Sequence, residues 1–457
     1  MSDYATINPA TGAVLARFPE ATDADIDDAI ARSEAAYDNW RRVPLERRAD
    51  LLRRVAGRFR DNADELAGLL TLEMGKPVTQ ALGEVAISAA IFEYYADNAA
   101  TFLADEPLTI AGTGTAFVRT EAIGPLLGVM PWNYPYYQVA RFAAPNLVLG
   151  NTILLKHAQI CPQSALAIAK VFAEVGAPDA VYLNVFASND QVARIIADPR
   201  VRGVSLTGSE RAGSAVAEVA GRHLKKYVLE LGGSDPFLVL DDADLGRTVT
   251  AAVRNRMANG GQACTASKRF IVLDEVYDRF LAAFVAAMRE HEPGDPTDPA
   301  TVFGPLSSQR AVDDLARQVD DAIAKGATVS TGGQRIEGPG AFFQATVLTD
   351  VTPAMRAYRE ELFGPVAVVY RVDSVDAAVE LANDSPYGLA ASVFCADTEL
   401  ARAVGDRLET GMVWINGVSA SSPDLPFGGV KRSGVGRELA HYGIAEFANK
   451  KLVRSPR

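Results

Sequence analysis

PLLGVMPWNYPYYQVARFAAPNLVLGNTILLKHAQICPQSALAIAKVFAEVGAPDAVYLNVF, residues 125–186, decides how the rest of the chain is read. It holds three short β-rich runs: LLGVM (126–130), TILLK (152–156) and VYLNVF (181–186). Helical text such as QSALAIAKVFAEVG (163–176) lies between them. Strand, helix and strand at this rhythm predict a parallel sheet with crossover helices. The rhythm continues through GVSLT (203–207) and YVLEL (227–231). A second α/β block follows. Its strand candidates are FLVL (237–240), FIVL (270–273), VAVVY (366–370) and SVFCA (392–396), with helices around 276–290, 308–325, 374–382 and 398–408. Upstream, the first hundred residues read as helical. Thr22 and Asp25 have the form of a capping box, and Pro44 opens a second helix with Leu51, Leu52, Val55 and Phe59 as its apolar stripe.

At 457 residues the chain exceeds one compact core, so two or three domains are expected. Hydrophobic residues make up 48% and charged ones 22%, as in ordinary globular proteins. No apolar run is long enough for a membrane helix, and MSDYATINPATG lacks the basic and apolar regions of a secretory signal. A cytoplasmic location is expected. The net charge of −12, with no basic cluster to offset it, argues against nucleic acid and membrane lipid as partners. Cys161, Cys264 and Cys395 are too scattered for a disulfide framework, and the four histidines lack ligand spacing, so no metal is expected.

Four segments carry candidate chemistry. Cys264 lies in NGGQACTAS (259–267), where glycines allow a tight turn and small neighbours leave room for a substrate. A lone cysteine is more often a small buried hydrophobe, and Cys161 and Cys395 are read that way. Glu230, in LELGGSDPF (229–237), stands at a strand's carboxyl end, where open α/β sheets place their sites. Desolvation there raises a carboxyl toward a useful base, although a strand-end salt bridge fits equally. Asn133, in MPWNYPYYQVAR (130–141), has an amide that can donate to an oxyanion, or is simply a turn residue. In SLTGSERAGS (205–214), Gly208 and Ser209 open a helix after a strand, which makes an anion site of the kind many βα turns share.

Together and in this order, these segments resemble the aldehyde dehydrogenase superfamily. The likeness covers nearly the whole chain and includes INPATG, PWNYP, GNTILLK, LTGS, LELGG, GQAC, EELFGPV (360–366), NDSPYGLAASVF (383–394), WING (414–417) and PFGGVKRSGVGRE (426–438). Glu230 stands 34 residues before Cys264, as that family has it. The resemblance implies an α/β fold: a Rossmann-like dinucleotide-binding domain over 1–106, 125–235 and 430–444, a catalytic domain over 236–429, and an oligomerisation arm over 107–124 and 445–457. It implies a homodimer or homotetramer. It makes Cys264 the nucleophile, Glu230 the base for the hydrolytic water, and Asn133 with the Cys264 backbone N–H the oxyanion hole. Lys156 is implied at the adenosine ribose, Ser209 at the pyrophosphate, Glu361 at the nicotinamide ribose and Phe363 near the nicotinamide, with Trp132, Gly208 and Leu231 as further cofactor-binding residues.

For the substrate, Arg141 resembles the arginine that family members oxidising succinate semialdehyde use on the substrate carboxylate, and Ser422 matches a second contact. An arginine six residues before the nucleophile in some of those enzymes is Ala258 here. Ala266, two residues after Cys264, leaves no partner for an active-site disulfide. For the cofactor, Gln159 stands where NAD-preferring relatives often place a glutamate, so repulsion of a 2′-phosphate is absent and NADP is favoured over NAD. A dehydrogenase of another small aldehyde and a catalytically inactive NAD(P)-binding protein are the alternatives.

Overall fold

The computed structural model describes residues 4–241 and 243–456. Its first large sheet has six strands in the order Gly434–Val435, Lys226–Glu230, Gly203–Thr207, Pro125–Met130, Thr152–His157 and Tyr182–Asn184. The last five run parallel; Gly434–Val435 is antiparallel to its neighbour. The chain enters at Pro125–Met130, builds outward on one side, then returns to build on the other. The direction of building therefore reverses at that strand, and the crevice beyond its carboxyl end is where such sheets bind ligands. The helix Pro135–Leu149, buried along its whole length, leaves this edge and packs on the sheet. A Cβ at Gly128 would meet Phe142 at 2.7 Å, so glycine permits this close approach.

The second sheet has seven strands: Thr328–Thr331, Thr346–Thr349, Val366–Val372, Arg269–Leu273, Pro236–Val239, Ala390–Phe394 and Met412–Ile415. All but the first are parallel. Hydrophobic clusters cover both of its faces, one around Leu238, Ile271 and Val368, the other around Phe237, Phe270 and Val369. A third sheet stands apart from these cores: Thr115–Ala122 is flanked antiparallel by Ala448–Ser455 and Glu106–Leu108, with Leu108 and Leu452 exposed.

The amino-terminal hundred residues are not helical throughout. Tyr4–Ile7 and Val14–Phe18 form an antiparallel hairpin before the helices Asp23–Trp40, Leu45–Asp61, Ala63–Met74 and Val78–Phe102. The hairpin is too short for a periodic signal, and tertiary bonds hold it: Tyr4 donates to the Ala187 carbonyl at 2.9 Å and Thr6 to Glu73 at 2.6 Å. The Thr22–Asp25 capping box forms as expected. Pro44 caps its helix one residue before the first turn, and the Leu51, Leu52, Val55 and Phe59 stripe is buried.

Candidate active site

The helix Leu245–Met257 ends where Asn259, Gly260 and Gly261 take φ of 51°, 62° and 76°. Three successive left-handed residues reverse the hand of the chain, and only the two glycines do so freely. Asn259 offsets the cost with its side chain, whose amide donates to the carbonyls of Asn133 (3.0 Å) and Gln262 (3.2 Å). Two buried cations then grip the following loop. Arg256 donates to the carbonyls of Gly261 (2.6 Å) and Ser267 (3.1 Å). Lys268 donates to those of Ala263 (3.0 Å) and Cys264 (2.8 Å). With these carbonyls turned toward Lys268, no hydrogen bond engages the Cys264 amide among the described residues. The thiol is half-buried and opens on a cavity of about 440 Å³ lined by Tyr134, Tyr137, Gln138, Arg141 and Phe427 among others. Burial pushes the thiol up to about 12, against the pull of Arg141 and Lys268, so it is protonated at neutral pH. Cys161 and Cys395 are buried free thiols outside this cavity.

Asn133 lies between the Pro125–Met130 strand and the Pro135–Leu149 helix. Gln138 donates to its side-chain oxygen at 3.0 Å, which fixes the amide, and its nitrogen donates to the Gln262 carbonyl at 3.1 Å. The backbone beneath it is anchored by a buried ion pair, Lys76–Glu84. Lys76 donates to the Asn133 carbonyl at 2.9 Å and lies 3.7 Å over the Tyr134 ring. Glu84 accepts from the amides of Tyr136 (2.8 Å) and Tyr137 (3.3 Å), free donors in the first turn of the helix. The neutral His157 ring, pushed down to about 4 by burial, donates to the Pro135 carbonyl at 3.1 Å.

Glu230 ends its strand fully buried, and neither carboxyl oxygen finds a hydrogen-bond donor. Burial holds it well above the usual carboxylate range; Arg141 pulls it down and Glu438 pushes it up. It packs against Gly428, where a Cβ would meet its Oε1 at 2.9 Å. It does not line the Cys264 cavity in this rotamer. Arg141 does, while pairing with Glu438, which also accepts from Ser205 at 3.1 Å. Arg141 further donates to Thr207 at 3.2 Å, and its guanidinium lies 4.4 Å over the Phe427 ring. Ser422 is half-buried, and its hydroxyl donates to Asp424. Its neighbour Ser421 faces the cavity instead and accepts from the Tyr137 hydroxyl at 2.8 Å.

The candidate cofactor residues collect along the carboxyl edge of the six-stranded sheet. Lys156, near the end of its strand, is nearly buried, with Tyr4 at 5.7 Å, and burial pushes it down to about 8. Gln159 follows it, its carbonyl accepting from the Ala5 amide at 3.0 Å. Gly208 leads into Ser209, which caps the helix Glu210–Arg222. Leu231 packs on that helix at Gly213, where a Cβ would meet it at 2.6 Å. Trp132 and Phe363 meet edge-to-face at 5.6 Å. Glu361 is no solvated loop charge: it accepts from the Gly233 amide at 3.0 Å and pairs with Lys268 at 3.2 Å. Among the described residues, no group of three or more His, Cys, Asp or Glu side chains is placed to hold a metal, and no helix is long and apolar enough to cross a membrane.

Sequence reasoning missed Lys76, Glu84, Arg256, Lys268 and Ser421, and gave Glu438 no role although it ends a quoted motif. A buried charge leaves no periodic trace, so only its partners reveal it.

The aldehyde dehydrogenase family model matches residues 1–453. The chain is 56% identical over 453 residues to the NADP(+) succinate-semialdehyde dehydrogenase of Deinococcus radiodurans, covering 99% of this chain and 94% of that one. It is 48% identical over 452 residues to an enzyme of the same name from Mycobacterium ulcerans, covering 98% and 99%. Among solved structures it is similar to the succinic semialdehyde dehydrogenase of Streptococcus pyogenes in complex with NADP+, with a TM-score of 0.97 and 45% identity over 99% of this chain and 100% of that one. An NAD+ complex of an aldehyde dehydrogenase from Bacillus cereus superposes with a TM-score of 0.96 at 34% identity, over 99% and 93%. With the family model matched along nearly its whole length and relatives this similar, the chain belongs to the aldehyde dehydrogenase family.

Proposed function

We propose that this protein oxidises succinate semialdehyde to succinate with NADP+ through an acyl group carried on Cys264. The observation that carries the reading is a single cavity holding both the Cys264 thiol and the Arg141 guanidinium. The names of its relatives point the same way.

The residues present fit a dinucleotide. Lys156 and the free N–H groups at the Ser209 helix start lie along one edge, and Glu361 faces the glycine pair Gly232–Gly233. Trp132 and Phe363 offer a paired aromatic surface. The nicotinamide, when bound, supplies the hydride acceptor. Cys264 must first give its proton to water in the cavity, which burial resists. The sulfur then bonds to the aldehyde carbon, and the former carbonyl oxygen takes up the negative charge. The Asn133 amide and the Cys264 N–H hold that oxygen, each donor worth roughly 3 kcal/mol. Once hydride has left the carbon, a thioester remains on Cys264. Glu230, whose burial favours the protonated form, must swing out from beside Gly428 and release that proton to solvent before it can take one from water. The hydroxide adds to the thioester, the carbon–sulfur bond breaks, and the acid leaves. A base of raised pKa suits this step near neutral pH.

Arg141 is already paired, but a guanidinium carries five N–H groups. Glu438, Thr207 and Tyr137 leave donors on both terminal nitrogens for a substrate carboxylate. The test compares kcat/KM for succinate semialdehyde and butanal in wild type and Arg141→Ala. The ratio should fall about 10–100-fold in the variant, the worth of a charge-assisted hydrogen bond. Equal loss on both aldehydes would make Arg141 purely structural. For the cofactor, Gln159→Glu should raise KM for NADP more than for NAD; equal shifts would remove Gln159 from the 2′ site.

The reading includes a homodimer or homotetramer joined through the three-stranded sheet, whose edges are open and whose Leu108 and Leu452 are exposed. It keeps the domain division given above and a cytoplasmic setting. A monomer in sedimentation would remove the assembly.

A further inference from the structure

We propose that Arg254 is the second carboxylate-binding residue of the substrate cavity, taking over from a neighbouring helical turn the charge that Ala258 lacks. This rests on the succinate semialdehyde reading and deepens it. Three charged side chains line the cavity that holds Cys264: Glu84, Arg141 and Arg254. Glu84 is neutralised by Lys76 and Arg141 by Glu438. Arg254 is exposed and has no hydrogen-bond or ion-pair partner among the described residues. The one uncompensated charge on the cavity wall is therefore positive.

The helix explains the placement. Arg254 and Ala258 are four positions apart at the end of Leu245–Met257, so they share a face, and both line the cavity. Alanine at 258 leaves space beside the thiol loop, and the long arginine side chain one turn earlier can fold across it. Arg254 also lines the adjoining cavity of about 820 Å³, bordered by Val249, Val302 and Val418. It thus stands where the two spaces meet, and an anionic aldehyde passing from one to the other encounters it. The inner wall offers Tyr134, Tyr137 and Phe427 to a short carbon chain, while Arg141 and Arg254 give a carboxylate two guanidinium forks. Arg254 is free to move, which suits capture; Arg141 is fixed by its bonds, which suits orientation.

The experiment measures kcat/KM for succinate semialdehyde and butanal with the full-length enzyme and NADP+, in wild type, Arg254→Ala, Arg254→Lys and Arg254→Glu. The ratio of acid to neutral aldehyde should fall about ten-fold in Arg254→Ala, stay intermediate in Arg254→Lys and be lowest in Arg254→Glu. The loss should appear in KM, and the salt dependence of kcat/KM for the acid should weaken in Arg254→Ala. A wild type that favours the acid while Arg254→Ala keeps the full ratio would overturn the role of Arg254 alone. A wild type with no preference for the acid would overturn the substrate reading and Arg254 with it. Glutamate is a good helix former, so Arg254→Glu still reads the loss of the cation should alanine disturb folding.

Discussion

Two buried charge clusters flank the Cys264 cavity, and they are built to opposite rules. In the first, Lys76 and Glu84 find partners on every side: each other, the Asn133 carbonyl, the amides of Tyr136 and Tyr137, and the Tyr134 ring. In the second, Glu230 lies near the Arg141–Glu438 pair with both carboxyl oxygens unbonded. A satisfied buried pair holds its backbone rigid, whereas a desolvated group without bonds stays protonated and can leave its place. On the proposed mechanism the first cluster positions the oxyanion donor, and the second stores a base.

The sharpest test of this contrast is Glu230→Gln. Turnover should drop about 10²–10⁴-fold, the usual worth of a general base, while the first burst of reduced cofactor survives. A stopped-flow trace with the burst lost as well would deny Glu230 its place in hydrolysis. Because Gln replaces a neutral buried acid, thermal stability should hold. That resistance is what separates the two clusters.

Lys76→Met should do the reverse. It strands the Glu84 carboxylate in the core, at a cost of about 3–5 kcal/mol, read as a shifted urea midpoint with unchanged slope. Unaltered stability would mean that Glu84 finds another partner and that the first cluster is not the fixed one.

The smallest effect concerns Asp235, which bonds the Ala390 amide at 3.1 Å. Burial raises it from 3.8 to about 7, with Lys268 pulling the other way. The folded chain therefore keeps a proton that the unfolded chain gives up. Its stabilising contribution is complete below about pH 4 and fades as pH climbs toward 7. Asp235→Asn should flatten the fall of melting temperature between about pH 4 and 7 relative to wild type. Parallel curves would exclude this group as the source.

The parallel strands were legible because a strand buried on both faces reads as a continuous apolar run, as in LLGVM and TILLK. Thr346–Thr349 and the hairpin Tyr4–Ile7 with Val14–Phe18 were not, because four or five residues carry no usable period and long-range contacts settle them. Within the site, Cys264, Asn133 and Glu230 stood out by their motifs. Ser422 came from the resemblance, by its place four residues before Pro426, while in the structure Ser421 lines the cavity. Arg256 and Lys268 were invisible because their task is to bind carbonyls, which any sequence supplies.

The left-handed turn at Asn259–Gly261 has a consequence for how such a protein changes over time. A helix cannot propagate through a reversal of hand, so Leu245–Met257 reaches the sulfur's loop through side chains: Arg256 on the Gly261 and Ser267 carbonyls, and Asn255 on the Ser267 amide. The wall proposed to select substrates and the sulfur proposed to attack them are thus joined by a few side-chain bonds and not by continuous helix. Arg254 and Ala258 make none of those bonds, so substitutions there can reshape the wall without breaking the ties that hold the loop.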